Sequence, residues 1–309
     1  MDLRQLSYVV AVVDQGGFTK AADAMCVAQP SLSQAVKMLE AELGVALFDR
    51  VGRRVVLTAA GEALLGPARQ ALRDAQNVRS SVDAVRGLVG GHLDIVCLPT
   101  LAMSPVADYV AEFRRRHPKV IVRIREPDDA PHLVDMIESG ESELGFTELP
   151  VPANGLIAIE LAVQEFVAVL PGPPTGEASI PIAKLAGLPL ITTSPGTSTR
   201  RLVDEALGRA GILPLVAVET DHREMMSVLV RDGVGYAILP RPVAAQLAST
   251  AVHVVAIRPR IHRRVGVIRR DAPLSPAGQA FLDVVSRRAD AFDASTARVS
   301  RVRRAGGRP

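Results

Sequence analysis

The segment Gln29–Lys37 combines small hydrogen-bonding side chains with one cation on a single predicted helix face. Pro30 suits the start of a helix, because no backbone donor is needed there. The back of the helix carries an apolar stripe with spacings of four, three and four: Leu32, Val36, Leu39 and Leu43. The opposite face carries the polar set: Gln29, Ser31, Ser33, Gln34 and Lys37. A helix with its back in a core and donors and acceptors at its leading end is suited to a DNA major groove, and an ordinary amphipathic surface helix is the alternative.

A cation-rich turn follows this helix. Short apolar segments on both sides of Gly52 predict a β-hairpin within residues 47–57. Arg50, Arg53 and Arg54 lie at or beside its tip, where cations can reach phosphates or a minor groove. A solvated turn is the alternative, but a position directly after a helix-turn-helix favours contact with DNA.

Two hydroxyl-bearing loops in the C-terminal part suit a different chemistry. Residues 99–102 follow an apolar strand, and residues 194–198 precede a helix predicted to begin at Thr199. Ligands in α/β folds bind where the carboxyl ends of strands meet helix N-termini, and free N–H and hydroxyl groups there suit a carboxylate or another small anion. Helix capping alone is the alternative. The candidate effector-binding residues are Thr100, Leu101, Ala102, Thr147, Ser194, Gly196, Thr197, Ser198 and His222.

The N-terminal elements position the polar helix. Apolar stripes predict a first helix over 3–13 and a second over 18–25, and the turn Cys26–Ala28 leads into the helix that begins at Gln29. Three short helices, the last two joined by a three-residue turn, predict a helix-turn-helix.

A long helix is predicted after Thr58, which suits an N-cap. Its apolar positions alternate spacings of four and three, as in a coiled-coil seam: Leu64, Ala68, Ala71, Ala75, Val78, Val82 and Val85. An identical helix is the simplest partner for such a seam, which predicts a homodimer that presents two reading helices to a DNA dyad. Packing of the seam against the chain's own core is the alternative.

Strands alternate with helices beyond residue 91, which predicts an α/β fold with a mostly parallel, doubly wound sheet in two lobes joined by crossing strands. A helix that begins at Pro276 is expected to return to the first lobe. The predicted units are a winged helix-turn-helix over 1–58, a dimerisation helix over 59–89, lobe 1 over 92–163 with 265–291, lobe 2 over 164–264, and an Arg-rich tail over 292–309 that is expected to be disordered.

Composition limits the classes of protein that fit. Of the 309 residues, 48% are hydrophobic, yet no apolar run of 18 exists, so no membrane span is expected. The N-terminus lacks signal-peptide features, which predicts a cytoplasmic protein. The net charge of +3 depends on five arginines after residue 297, so DNA binding must come from local placement of charge. That tail is either a solvated end or a non-specific DNA clamp.

The chain resembles the LysR-type transcriptional regulators over nearly its whole length apart from the tail. The matching runs are 18–22, 28–33, 39–44, 47–50 and 57–62, with a weaker GxGxxLP-like match at 233–240. The resemblance implies a homodimer or homotetramer that binds interrupted dyads of double-stranded DNA, and a periplasmic-binding-protein-like region with a small-molecule effector. It assigns DNA contacts to Gln29, Pro30, Ser31, Ser33, Gln34, Lys37 and Arg53. Thr19 and Lys20 are further candidate DNA-binding residues.

The sequence departs from the family pattern at Gln34, where the family often has arginine. An arginine there suits guanine or phosphate, whereas glutamine pairs best with adenine, which leaves the operator sequence open. The effector is expected to be an organic acid or an amino-acid-like anion.

Two other classes of function remain as alternatives. A thiol-switch regulator would need Cys26 and Cys97 to meet, but one lies in the DNA-binding unit and the other in a predicted strand, where a buried inert thiol is the default. An enzyme or a solute-binding protein would use the two lobes without DNA. No metal-spaced His/Cys set, GxSxG motif or P-loop is present, so no enzyme activity, cofactor or metal is expected.

Overall fold

The structure, a computed structural model, describes residues 1–51, 54–85, 91–127, 129–152, 155–248 and 251–296. Its N-terminal domain consists of α1 (Leu3–Asp14), α2 (Phe18–Ala24), α3 (Gln29–Leu43), β1 (Phe48–Val51) and β2 (Arg54–Leu57). The predicted winged helix-turn-helix is confirmed.

The apolar stripes of the three helices meet in one small core, which includes Leu6, Val9, Ala21, Leu32, Val36 and Leu39. Asp2 caps α1 by accepting a hydrogen bond from the Gln5 backbone, and Gly44 ends α3 with φ +71, a conformation that favours glycine. Local sequence signals therefore set the ends of the helices, and burial of their stripes sets how they pack.

The long helix is α4 (Ala59–Val85), and Thr58 caps its start by accepting from the Gly61 N–H at 3.1 Å. The predicted dimer seam needs correction in its first half. Ala68 is 1% exposed, and it packs with Leu64 and Ala71 in the core of the N-terminal domain. Ala68 therefore has almost no surface left for a second helix, whereas Leu64 and Ala71 are half-buried.

The second half of the seam differs from the first. Ala75 is half-buried and Val78 is 67% exposed within the single chain. The side chains of Val82 and Val85 lie outside the described residues. The apolar residues have the same spacing of three and four in both halves of the seam. This spacing shows that one side of the helix is apolar, but it does not show which surface covers that side.

Lobe 1 is a sheet flanked by helices. Its elements are β3 (Gly91–Cys97), α5 (Pro99–Leu101), a π-helical turn (Ala102–Val106), α6 (Ala107–Arg116), β4 (Val120–Arg125), α7 (Ala130–Glu138) and β5 (Leu144–Leu149). The chain returns to this lobe through α11 (Pro276–Thr296), whose Phe281 and Val285 lie in the lobe 1 core, as predicted.

Lobe 2 has two apolar cores on either side of its strands. Its elements are β6 (Leu156–Pro171), β7 (Ser179–Pro181), a 3₁₀ turn (Ile182–Leu185), β8 (Pro189–Thr192), α8 (Ser198–Arg209), β9 (Leu215–Glu219), α9 (Arg223–Arg231), β10 (Ala237–Pro240), α10 (Arg241–Leu247) and β11 (Val252–Arg270). Gly235 passes so close to the Pro189 carbonyl that a Cβ would collide with it.

The sheet that joins the lobes is mixed, which corrects the predicted mostly parallel arrangement. Its order is β10-β6-β11-β5-β3-β4. Parallel pairs link β3 to β4 and β5, whereas β11 runs antiparallel to both β5 and β6. The chain enters lobe 2 along β6 and leaves along β11, and two strands that run in opposite directions side by side must pair antiparallel. The predicted boundaries at 163/164 and 264/265 fall inside these two strands.

Two other predicted boundaries differ. Ser104 has extended backbone angles and does not cap a helix, which instead begins at Ala107. The backbone of α11 remains helical through Thr296, five residues into the segment predicted to be disordered, and residues 297–309 lie outside the described part. Among the described residues, no helix is both long and apolar enough to cross a membrane.

Replacing Leu32 by alanine tests the core behind α3. Leu32 is fully buried, so Leu32→Ala is expected to lower the free energy of unfolding of the N-terminal domain by about 2–5 kcal/mol. Met38 lies on the same helix and is 59% exposed, so Met38→Ala is expected to change it by less than about 0.5 kcal/mol. Amide hydrogen exchange of α1–α3 in the full-length protein measures both; equal effects would contradict this packing.

Candidate functional site

The polar face of α3 lies at the protein surface. Gln29, Pro30, Ser31, Gln34 and Lys37 are exposed and Ser33 is half-buried. Thr19 and Lys20, near the start of α2, are exposed as well. Burial of Leu32, Val36 and Leu39 fixes the rotation of α3 and therefore turns this face outward.

The wing is attached to α3 through Glu40. Its Oε1 atom accepts hydrogen bonds from the backbone of Leu47 at 2.8 Å and of Phe48 at 3.3 Å. The ring of Phe48 meets Phe18 edge-on, with 5.4 Å between centroids. The wing and the reading helix are therefore held as one rigid unit.

Arg50 of the wing is exposed and is paired in the hairpin register with Val55. Arg53 and the side chain of Arg54 lie outside the described residues. The exposed cations Lys20, Lys37 and Arg50 and the neutral donors of α3 can bind phosphates and base edges respectively, which is the division of work in a protein–DNA interface.

A second candidate site lies where β6 and β11 cross between the lobes. Arg263 of β11 is 6% exposed. It donates from Nη2 to Thr100 Oγ1 at 2.6 Å, in lobe 1, and from Nη1 to Ser198 Oγ at 3.2 Å, in lobe 2. It also donates to Gln164 Oε1 from Nε at 3.1 Å and from Nη2 at 2.9 Å. One guanidinium thus joins both lobes and the crossing strand.

All of these partners are neutral. In the part of the chain that the structure describes, no carboxylate oxygen lies within 4.0 Å of the Arg263 guanidinium. The Phe166 ring lies 5.1 Å away and offers a cation–π contact. Burial lowers the pKa of Arg263 to about 10, so it stays charged at neutral pH. A buried cation with only neutral partners is costly and attracts an anion.

Glu148 is the carboxylate whose charge acts on Arg263 from further away. Its Oε2 atom accepts from Ser198 Oγ at 2.7 Å, and its Oε1 atom pairs with Arg201 of α8. Ser198 therefore lies between a buried cation and a carboxylate, and Glu148 connects the end of β5 to the start of α8.

A groove of about 660 Å³ is lined by residues of both lobes, including Pro99, the neighbour of Thr100 in the chain, but by none of the residues of the Arg263 cluster. Its apolar wall comes from lobe 1 and includes Met103, Val110 and Ile124, and its charged side comes from Asp221, His222, Arg223 and Glu224 of lobe 2. Glu126 also lines it, and burial raises the pKa of that carboxyl. Ala102 and His222, two predicted residues, are among the groove residues.

Several predicted effector residues are engaged otherwise. Leu101 is buried in the lobe 1 core. The backbone N–H and the hydroxyl of Ser194 donate to Asp221 at 3.0 and 2.6 Å, and this hydroxyl lowers the pKa of Asp221. Thr197 caps α8 by accepting from the Arg200 N–H at 3.2 Å. Side chains with filled hydrogen bonds have little to offer a ligand.

The last two members of the predicted set are not among the hydrogen-bond partners of Arg263. Gly196 is exposed in the same loop with φ +92. Thr147 is fully buried, and its hydroxyl has no hydrogen-bond partner within the described part of the chain. Thr100 and Ser198 are thus the predicted residues that the fold brings to one cation.

Sequence reasoning missed Arg263 and Gln164, although it placed the crossover near Glu148 at the floor of the cleft. Arg263 lies in the run Arg258–Arg264, which is rich in cations and reads as a solvated segment. A signal does exist, because Arg263 lies two residues from Ile261 and Val265, and Gln164 lies two residues from Ala162 and Phe166. Each polar side chain therefore shares the apolar face of its strand. Their pairing depends on contacts between residues about a hundred positions apart, which periodicity does not report.

The two cysteines differ in exposure. Cys26 is exposed in the turn before α3, with φ +54, and Cys97 is fully buried in β3. Burial raises the pKa of Cys97 to about 12, which keeps it as the unreactive thiol. Over the described ranges, no group of three His, Cys, Asp or Glu side chains is arranged to hold a metal ion.

Two family models match the chain. The model described as a bacterial regulatory helix-turn-helix protein of the lysR family matches residues 3–62, and the model of the LysR substrate binding domain matches residues 86–290. Together they cover the N-terminal domain and both lobes.

Similar proteins include named regulators. The transcriptional regulator IlvY of Escherichia coli is 31% identical over 249 residues, covering 79% of this chain and 83% of IlvY. The regulator CysB of Haemophilus influenzae is 30% identical, covering 82% of this chain and 78% of CysB. A full-length OxyR variant of Pseudomonas aeruginosa has a similar structure, with a TM-score of 0.74, 27% identity and 94% of each chain covered.

The difference between the two thiols can be measured directly. Only the thiolate reacts with maleimide, so at pH 7 Cys26 is expected to react at least about 100-fold faster than Cys97 in the native protein. Because the pKa of Cys97 is raised, its protonated form persists to about pH 12. Mass spectrometry of labelled peptides measures both rates, with urea-unfolded protein as the control; equal native rates would contradict this assignment.

Proposed function

This chain belongs to the LysR family of bacterial transcriptional regulators, and we propose that it reads a DNA dyad with α3 and the wing under control of an anionic effector at Arg263. The regulators IlvY and CysB support a role in transcription and not in catalysis. The finer assignments rest on the two sites described above.

Double-stranded DNA is the partner that fits the exposed polar face. The major groove admits a helix such as α3, and Gln34 can pair with an adenine through its amide. Lys20, Lys37 and Arg50 supply cations around it, while the near-neutral remainder of the chain contributes little general attraction. Specificity then comes from α3, and affinity from the phosphate contacts.

A dyad requires two copies of the reading helix, so we propose a homodimer or a homotetramer. The exposed Val78 is the part of the α4 seam that supports contact with a second copy, because Leu64, Ala68 and Ala71 are used within the chain. Dimerisation through α4 is therefore proposed for its second half alone.

The effector is proposed to be a small organic acid or an amino-acid-like anion. The observation that carries this proposal is the buried charge of Arg263 with neutral partners from both lobes. A carboxylate that enters between the lobes would gain charge-assisted hydrogen bonds from the guanidinium N–H that has no partner among the described residues and from the hydroxyl of Thr100, which only accepts from Arg263. It would also bridge the lobes, so binding would favour one interlobe arrangement.

A thiol switch is the second candidate, favoured by the likeness to an OxyR structure. The burial and raised pKa of Cys97 argue against it. An effector held by hydrogen bonds is therefore preferred to one that oxidises a thiol.

Charge removal on the wing and on α3 tests the DNA-binding face. A duplex is first selected from random sequence with the full-length protein, and fluorescence anisotropy is followed over a salt series. Arg50→Gln and Lys37→Gln are each expected to reduce the slope of log Kd against log salt by about 0.9, the value for one lost phosphate contact. Lys184→Gln, which alters an exposed cation of lobe 2, is the control; slopes equal to the control would contradict the proposed face.

The anion site is tested with a panel of small carboxylates. A compound that raises the Tm of the wild-type protein is expected to bind Arg263→Gln at least about 10-fold more weakly, because one charge-assisted hydrogen bond contributes about 1.5–3 kcal/mol. The neighbouring Arg264 pairs with Glu160 at 2.5 Å and is half exposed, so Arg264→Gln is the matched control. Calorimetry that finds equal affinity for Arg263→Gln and wild type would exclude Arg263 from the site.

A further inference from the structure

Arg69 of α4 joins the DNA-binding domain to lobe 1. Its side chain is almost fully buried, with 8% of the residue exposed. Nη2 lies 2.5 Å from Asp14 Oδ1, at the end of α1, and Nη1 lies 3.3 Å from Ser139 Oγ and 3.8 Å from Glu141 Oε2, in lobe 1. One planar cation therefore has an acidic partner on each side of the boundary.

Arg73, one helical turn further along α4, contacts the same loop of lobe 1. Its guanidinium donates to the Gly140 carbonyl, and a Cβ at Gly140 would collide with it. Gly140 has φ +73, a conformation that favours glycine. The absence of a Cβ at Gly140 therefore lets Arg73 of α4 approach the loop closely. We name Asp14, Arg69, Arg73 and residues 139–141 the α4 joint.

Lobe 1 braces the loop of the α4 joint from its other side. Arg125 donates to the Glu141 carbonyl at 3.2 Å and lies 3.4 Å from Glu141 Oε1. Arg270 of β11 donates to the carbonyls of Ile137 and Ser142. Because the loop is fixed to the sheet by these arginines, a shift of the sheet edge must move it against α4.

The α4 joint and the effector cleft lie at opposite ends of one strand. β5 begins three residues after Glu141, and its Glu148 contacts Ser198 and Arg201 of lobe 2. At about 3.3 Å per residue, the strand spans about 20 Å between the two ends. Strands in a packed sheet move as units, so a change in the Glu148 contacts can be transmitted to residues 139–141.

We propose that the α4 joint is a releasable docking surface on lobe 1 for the chain's own DNA-binding domain, and that β5 couples it to the cleft. Closure of the lobes on an anion changes the Ser198–Glu148–Arg201 contacts, and the joint then alters the orientation of α4. The coupling to an effector rests on the proposed function. The docking of the DNA-binding domain on lobe 1 does not depend on it.

Glu141→Lys tests the docking in the full-length protein. It places a cation beside Arg69 and Arg125 at a side chain that is one-third exposed, so folding is expected to persist. We expect hydrogen exchange at residues 137–142 to rise at least about fivefold, and the Kd or the bend angle of a selected, end-labelled duplex to change at least about threefold. Glu112→Lys removes the ion pairs with Arg116 and Arg288 in the same lobe and serves as the control. Equal behaviour of the two variants overturns the proposal.

A double-mutant cycle distinguishes loss of the docking contact from a local structural effect of Glu141→Lys. Asp14→Asn removes the partner of Arg69 on the DNA-binding side. If both carboxylates act through one docking contact, the effects of Asp14→Asn and Glu141→Lys on DNA affinity are non-additive. Additive effects overturn a shared contact.

The coupling through β5 is tested without any effector. Arg201→Gln releases Glu148 at the cleft. We expect it to change hydrogen exchange at residues 137–142 at least about twofold, although its side chain belongs to the other lobe. Exchange that matches the wild type overturns the coupling. Because this measurement needs no ligand, its failure is separate from a failure of the anion site, which would appear as the absence of any stabilising carboxylate or as equal affinity of Arg263→Gln and the wild type.

Discussion

A single buried charge connects the parts of the effector region. Arg263 donates to Thr100 in lobe 1, to Ser198 in lobe 2 and to Gln164 on the crossing strand, so the guanidinium holds the two lobes together through neutral oxygens. These hydrogen bonds use four of its five N–H groups, and among the described residues no carboxylate forms an ion pair with it. The same side chain can therefore stabilise the interlobe arrangement and receive an anion, and the energetic cost of the unpaired charge is what a carboxylate would relieve.

The position of this charge follows from the path of the chain. β6 carries the chain into lobe 2 and β11 carries it back, and their antiparallel register pairs Gln164 with Arg263. Both residues lie near the crossing, where the strands leave one lobe for the other. The helices that follow β3 and β8 begin at the same place, and they contribute Thr100 of α5 and Ser198 of α8. A site at the crossing is sensitive to the relative positions of the lobes, because each lobe supplies one hydroxyl.

The sequence predicts the parts of the protein that depend on neighbours along the chain. The stripes of α1–α3 and the cap at Thr58 are local signals, and the structure has them as expected. The hydroxyls of Thr100 and Ser198 both contact Arg263, and their predicted role in binding an effector stays a prediction. The seam of α4 is misleading in its first half because an apolar period does not say whether a partner or the chain's own core covers it. Arg263 escapes prediction because the partners of its guanidinium are 65 to 163 residues away in the chain. Strand direction is also hard to predict, since alternation of strands and helices does not reveal two long strands that share one sheet.

A comparison of Arg69 with Arg263 indicates why one buried arginine forms a charge-compensated contact between domains and the other can bind an anion. Both are nearly fully buried, and both connect separate units of the chain. Arg69 has carboxylates on each side, Asp14 and Glu141, so its charge is compensated within the protein and a further anion has little to gain there. Arg263 has amide and hydroxyl oxygens instead, while the nearest compensating charge, Glu148, is itself paired with Arg201. The chemistry of the partners, and not the burial of the cation, therefore distinguishes a contact that orients domains from a site that can bind a ligand.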